Sequence, residues 1–280
     1  MINIYKLIYI IIIIVLYYFI KYLNVIIFNL KVCLYLIRKN EDLYINEFIH
    51  YYKNIGYNHI YLYDNNDNDD EKFEDVVKEE VENGFVTIIN YKGYRGININ
   101  PQLRAYKDFY KKYNLMYDWL SFFDIDEYLQ LISPNLKIQH FLYKTNDSLY
   151  YENKSLIKRA NIPYFNISVN RHIKSTVRGN LSKNYWSKVD TPHTSLNNLN
   201  CCNSSWKYIN YTSNYNYPLD YKCAYLKHWQ GKSLEEYCLK IKRGRPIRWY
   251  QKYWESAINN LIENNKITKK KWQLLKKYLM

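Results

Sequence analysis

The stretch Trp119–Leu129, WLSFFDIDEYL, places three carboxylates at the end of a dry segment. Asp124, Asp126 and Glu127 follow directly on Trp119, Leu120, Ser121, Phe122 and Phe123. A short apolar run of this kind reads as a strand covered on both faces, the usual state of a strand in a parallel sheet. Negative charge gathered at such an end calls for a positive partner. A metal ion, a neighbouring lysine and the attacked centre of a phosphoester all meet that demand.

Working back toward the N-terminus, strands alternate with helices. Val32–Ile37 (VCLYLI) reads as a buried strand that breaks at Arg38-Lys39-Asn40-Glu41-Asp42. Leu43, Ile45, Phe48, Ile49 and Tyr52 have helical spacing, and Gly56 is a natural stop. His59–Tyr63 predicts a second strand ending at Asp64, and a helix is expected around Lys72–Glu82. Asn83-Gly84 then turns the chain into a third strand, Phe85–Ile89, and Pro101 opens another helix. This order predicts an α/β fold: a Rossmann-like, mainly parallel sheet flanked by helices. Ligands of such sheets sit at the carboxyl ends of the strands. Asn40, Glu41, Asp64, Asp124 and Asp126 all fall at such ends, on three strands. By strand alternation Glu127 points elsewhere and reads as a support or salt-bridge partner.

The rest of the chain is arranged around this core. The expected division is a hydrophobic anchor over 1–30, the main α/β domain over 31–250, and a basic tail over 251–280 with a helix expected at Lys266–Leu279. Leu7–Ile20 is apolar or aromatic throughout, between Lys6 and Lys21. That is shorter than the roughly 20 residues that span a bilayer, but counting from Ile2 extends it, with Lys6 able to snorkel. No small-residue cleavage site follows, so an uncleaved single-pass membrane anchor is the preferred reading over a signal peptide, with a hydrophobic helix packed on the domain as the alternative. Lys21, Lys31, Arg38 and Lys39 favour a cytoplasmic catalytic domain. Six Asn-x-Ser/Thr sites point the other way, and the side stays open.

With 280 residues and 48% hydrophobic content the chain supports a full core. Its 34 tyrosines reflect a general Ile/Asn/Lys/Tyr bias, so tyrosine by itself signals nothing. Net charge is +14, with 14 Lys/Arg against four Glu from residue 227 onward. Such a region suits anionic partners, but no aromatic-basic RNA motif accompanies it and no nucleic acid is expected as partner. Cys201-Cys202 lacks zinc spacing. A disulfide from that pair to Cys223 would need an oxidising compartment, and the odd total of five cysteines favours free thiols.

For the Asp-x-Asp itself, hard carboxylate oxygens suit Mg or Mn bound together with substrate phosphates. The rival enzyme reading, a phosphatase-like nucleophilic aspartate, needs a later acidic pair. Only Glu235-Glu236 offers one, and it lies in an apparent helix. A third reading is a non-catalytic basic protein that binds nucleic acid or anionic membrane.

The blocks LYLIRKNEDLYINEFIHYYKNIGYNHIYLYDNND, QLRAY and WLSFFDIDEYL resemble glycosyltransferase family 92, and HIKSTVRG, Pro192-His193 and LKHWQGKSLEEYCLKIKRG continue the resemblance. The composition is also similar to that of members from large DNA viruses. The resemblance implies the A-type glycosyltransferase fold. It also implies inverting transfer of a sugar, often galactose, from a UDP- or GDP-sugar donor to a glycan or glycoprotein acceptor, helped by divalent Mn or Mg. On that basis Arg38, Asn40 and Glu41 would sit near the nucleotide, Asp64 would hold the base or ribose, and Lys174, Arg178 and Lys232 would meet the pyrophosphate. Asp124, Asp126 and His228 would form the metal shell. His193 would serve the acceptor. The general base is unplaced, with Glu152 and Asp190 as weak candidates.

Overall fold

The computed structural model describes residues 4–39, 41–66, 72–92, 101–145, 157–165, 172–181, 200–209, 220–229 and 263. Nearly all of these belong to one compact unit, Met1–Gly93 with Gln102–His228. A second unit comprises Tyr94–Pro101 and Trp229–Met280; within it Pro101, Trp229 and Glu263 are described.

The first unit is α/β, as the alternation of elements predicts. β1 (Val32–Arg38) pairs in parallel with β2 (His59–Asp64) on one side and β4 (Trp119–Phe122) on the other, and β3 (Val86–Asn90) continues from β2. The side chains of β1 divide by simple alternation. Val32, Leu34 and Leu36 face a core shared with Ile45, Phe48, Ile49 and Tyr52 of α2 (Asp42–Asn54). Cys33, Tyr35 and Ile37 face another, shared with Tyr106, Phe109 and Tyr110 of α5 (Pro101–Tyr113). Both faces are dry, which is why β1 has no polar position until Arg38. Each large apolar side chain taken out of water contributes about 1.5–3 kcal/mol.

Gly56 ends α2 at φ +99°, where a Cβ would lie 2.5 Å from Oε1 of Gln139 on α6 (Ile138–Lys144). The helix expected over 72–82 is broken. α3 (Phe73–Val76) and α4 (Lys78–Glu82) are separated by Val77, whose φ of −109° and ψ of 22° leave helical geometry while its side chain is buried.

The strands that follow Asp-x-Asp are not continuous apolar runs. β5 (Glu127–Leu131), β6 (Arg159–Phe165), β7 (Ile173–Arg178) and β10 (Ala224–His228) extend the sheet in the order β3-β2-β1-β4-β7-β6-β10-β5. β7 runs antiparallel to β4 and β6, while β10 runs parallel to β6 and antiparallel to β5. β8 (Cys201–Cys202) and β9 (Tyr208–Ile209) form a short ribbon beside β6. Cys33, Cys201, Cys202 and Cys223 are free thiols.

At the N-terminus α1 (Ile4–Phe28) exposes its apolar side chains from Leu7 through Ile20 and at Tyr5, Tyr22 and Val25. Its segment Tyr5–Val25 is long and apolar enough to cross a membrane. The helix expected at Lys266–Leu279 lies outside the described residues.

Candidate functional site

The acids after β4 occupy a tight turn locked from both ends. The Glu127 N–H donates to the Asp124 carbonyl at 2.8 Å, and the Asp124 N–H donates to Glu127 Oε2 at 2.7 Å. The Tyr52 hydroxyl, reaching from α2, donates to the Glu127 carbonyl at 2.7 Å and accepts from the Leu129 N–H at 3.2 Å. The turn is thereby fixed to the helix layer before any ligand arrives.

Asp124 is held by two cations on different strands. Arg38, at the carboxyl end of β1, places Nη2 at 3.0 Å from Oδ1, and Lys174 of β7 places Nζ at 3.0 Å from Oδ2. Gln102 of α5 donates to Oδ1 at 3.3 Å. Burial alone would raise the Asp124 carboxyl, but Lys174 and Arg38 overcome it and hold the group well below the usual carboxylate range. Lys174, itself fully buried, also lies 3.4 Å from Glu127 Oε2. For Lys174 burial opposes the charge, yet Asp124 and Glu127 keep the ammonium protonated far above its ordinary value.

His228 reaches the same point from the far end of the sequence. In the β10–β5 pairing it stands directly opposite Glu127, and its Nε2 lies 3.6 Å from Asp126 Oδ2. Burial would lower the imidazole, but Asp126, Glu127 and Asp124 together outweigh that and raise it. Asp126, Glu127 and His228 each bring one ligand atom within 4.8 Å of the others. Two carboxylates and an imidazole are a donor set for Mn or a related divalent cation. Glu127 already accepts from Tyr164 and the Asp124 main chain and is paired with Lys174, whereas Asp126 faces the imidazole. In Glu127 burial also prevails over Lys174 and lifts the carboxyl above its usual value.

Of the residues singled out in the sequence, Arg38, Asp124, Asp126, Lys174 and His228 come together here, with Glu127 among them. Glu41 precedes α2 and adds to the negative field that keeps Arg38 charged against burial. Asp64 closes β2 in register with Arg38, is fully buried, and lies 3.3 Å from Lys92 Nζ while accepting from the Asn66 N–H. Arg178 is not brought to the site. It pairs in register with Trp119 at the amino end of β4, covers that indole, and donates to the Ile157 carbonyl. Asn40, Glu152, Asp190, His193 and Lys232 lie outside the described residues.

Tyr52, Gln102 and Tyr164 carry the site without having stood out in the sequence. Tyr52 showed only as part of the helical core face, and in a chain with 34 tyrosines no local pattern separates Tyr164 from the rest. Gln102 lay in the recognised QLRAY block but had no role attached.

The family model described as Glycosyltransferase family 92 matches residues 29–278. No curated protein matches the chain.

Proposed function

Because the chain belongs to glycosyltransferase family 92, we propose that it transfers a sugar, with galactose the first to try, from a UDP- or GDP-sugar to a glycan or glycoprotein acceptor, with inversion and with Mn or Mg. One observation carries the metal dependence. Arg38 and Lys174 answer the charge of Asp124, and Lys174 also that of Glu127, while Asp126 and His228 face each other at 3.6 Å. Asp126 and His228 would hold the cation, with Glu127 beside them. When bound, the cation supplies positive charge against the departing nucleoside diphosphate.

The protein's own groups do the positioning. Asp124 fixes Arg38 and Lys174, so that the turn carrying Asp126 is preorganised rather than ordered by the donor. The nucleotide would lie outside the carboxyl ends of β1 and β2, the crevice where ligands of such sheets bind. Asp64 shapes that crevice through Lys92 and the Asn66 main chain. The N-terminal helix would attach the enzyme to a membrane as a single pass. Family membership over 29–278 favours neither the phosphatase-like reading nor a non-catalytic basic protein.

The test is a panel of nucleotide-sugars with Mn or Mg, scored for donor turnover and for donor-dependent thermal stabilisation. Metal-dependent turnover of one donor, lost in Asp126→Ala with its circular dichroism intact, supports the reading. Turnover unchanged by EDTA and by that substitution sinks it.

A further inference from the structure

Tyr164 touches two members of the carboxylate–imidazole cluster at once. Its hydroxyl donates to Glu127 Oε1. Its ring lies against the His228 imidazole, with centroids 4.8 Å apart and planes 30° from parallel. The contact is built into the sheet. β10 runs beside β6 with Leu226 in register with Tyr164, which brings His228 alongside the tyrosine. The Tyr164 N–H donates to the His172 carbonyl at 3.1 Å, which ties this end of β6 to the segment entering β7. The residue is 3% exposed.

Glu127 is therefore gripped on both oxygens: Tyr164 on Oε1, Lys174 and the Asp124 N–H on Oε2. His228 needs a separate restraint, because an imidazole turns about its terminal torsion in a broad well. The stacked ring supplies it, keeping Nε2 toward Asp126. Groups that orient metal ligands in this way commonly control affinity by 10–100-fold.

We propose that Tyr164 is the positioning residue of a divalent-cation site formed by Asp126 and His228: its hydroxyl sets Glu127 and its ring sets the plane of His228. This rests on the reading of Asp126 and His228 as cation ligands. It assigns separable roles to the two ends of one side chain. Tyr164→Phe keeps the ring and loses only the hydroxyl. Tyr164→Leu loses both.

The experiment titrates Mn alone into the full-length protein in detergent, following free Mn by electron paramagnetic resonance without any sugar donor. Melting curves in EDTA are recorded alongside. Wild type binds, Asp126→Ala does not, Tyr164→Phe binds about tenfold more weakly, and Tyr164→Leu more weakly still. A merely structural role would lower the melting temperature in EDTA and leave the Mn affinity of the folded protein unchanged. Wild-type affinity in Tyr164→Phe and Tyr164→Leu, with Asp126→Ala still inactive in binding, overturns the role of Tyr164 and leaves the cation site standing. Mn binding in Asp126→Ala equal to wild type overturns both. Should Tyr164→Leu fail to fold, Tyr164→Phe decides alone.

Discussion

Lys174 and Asp124 meet at 3.0 Å although the lysine side chain is wholly buried. A buried ammonium is tolerated only where carboxylates answer it, and Asp124 and Glu127 both do. The lysine that sequence resemblance sends to a pyrophosphate is, in the fold, an internal counter-ion of the acidic turn. Its removal should therefore be felt as lost stability before it is felt as lost substrate affinity.

Lys174→Met leaves Glu127 buried without its ammonium and should cost about 3–5 kcal/mol, the usual consequence of breaking a buried ion pair from one side. Adding Glu127→Gln removes much of the stranded charge and should recover part of that loss. Chemical denaturation of the two variants measures both steps. Equal stability of Lys174→Met and wild type would falsify the counter-ion role.

His228→Ala should abolish or strongly weaken Mn binding and reduce transfer with a smaller loss of stability than Lys174→Met, because the imidazole closes β10 and keeps some exposure. Lys174→Met has the opposite profile, with stability affected first. Calorimetric titration of Mn together with melting curves separates the two. Matching profiles for the pair would argue against separate ligand and counter-ion roles.

Glu80 predicts an acid-sensitive step away from the site. Burial would raise its carboxyl, but hydrogen bonds from Lys53 at 2.9 Å and from Asn83 at 2.8 Å lower it below the ordinary glutamate value. A carboxyl depressed in the folded state stabilises the fold above its unfolded pKa, about 4.3. That contribution is lost as pH falls through the depressed folded value. Glu80→Gln should destabilise the protein at neutral pH and make stability less steep in acid. Urea midpoints from pH 7 down to pH 3 give the comparison, and parallel curves for the two proteins count against it.

Tyr5–Val25 presents its apolar side chains to the surroundings along a segment long enough to span a bilayer. Full-length protein should stay in the membrane pellet after carbonate washing, and a chain lacking residues 1–30 should move to the supernatant. Release of the full-length chain by carbonate would remove the anchor reading.

The early part of the fold was legible because its chemistry is repetitive. β1, β2 and β4 are buried on both faces, so they show as unbroken apolar runs, and α2 shows its core face at helical spacing. The later strands were not legible. β6 buries Arg159 and Asn161 and contains Pro163, while β7 buries Lys174, Ser175 and Thr176. Polar residues paired inside a sheet erase the pattern by which a buried strand is recognised.

By itself the sequence determined that a mainly parallel sheet ends in Asp124 and Asp126, because hydrophobic runs and the charges that stop them are local properties. It also marked His228 through the block around it. Only the tertiary structure decided how the charges divide. The antiparallel pairing of β5 with β10 sets His228 opposite Glu127, and the turn at Asp124 swings Glu127 inward between Tyr164 and Lys174. Strand alternation cannot foresee this, since the chain leaves β4 after Phe122 and enters a new strand at Glu127. Which acid meets a lysine and which faces an imidazole depends on partners distant in sequence, and these are brought together only by the packing of the sheet.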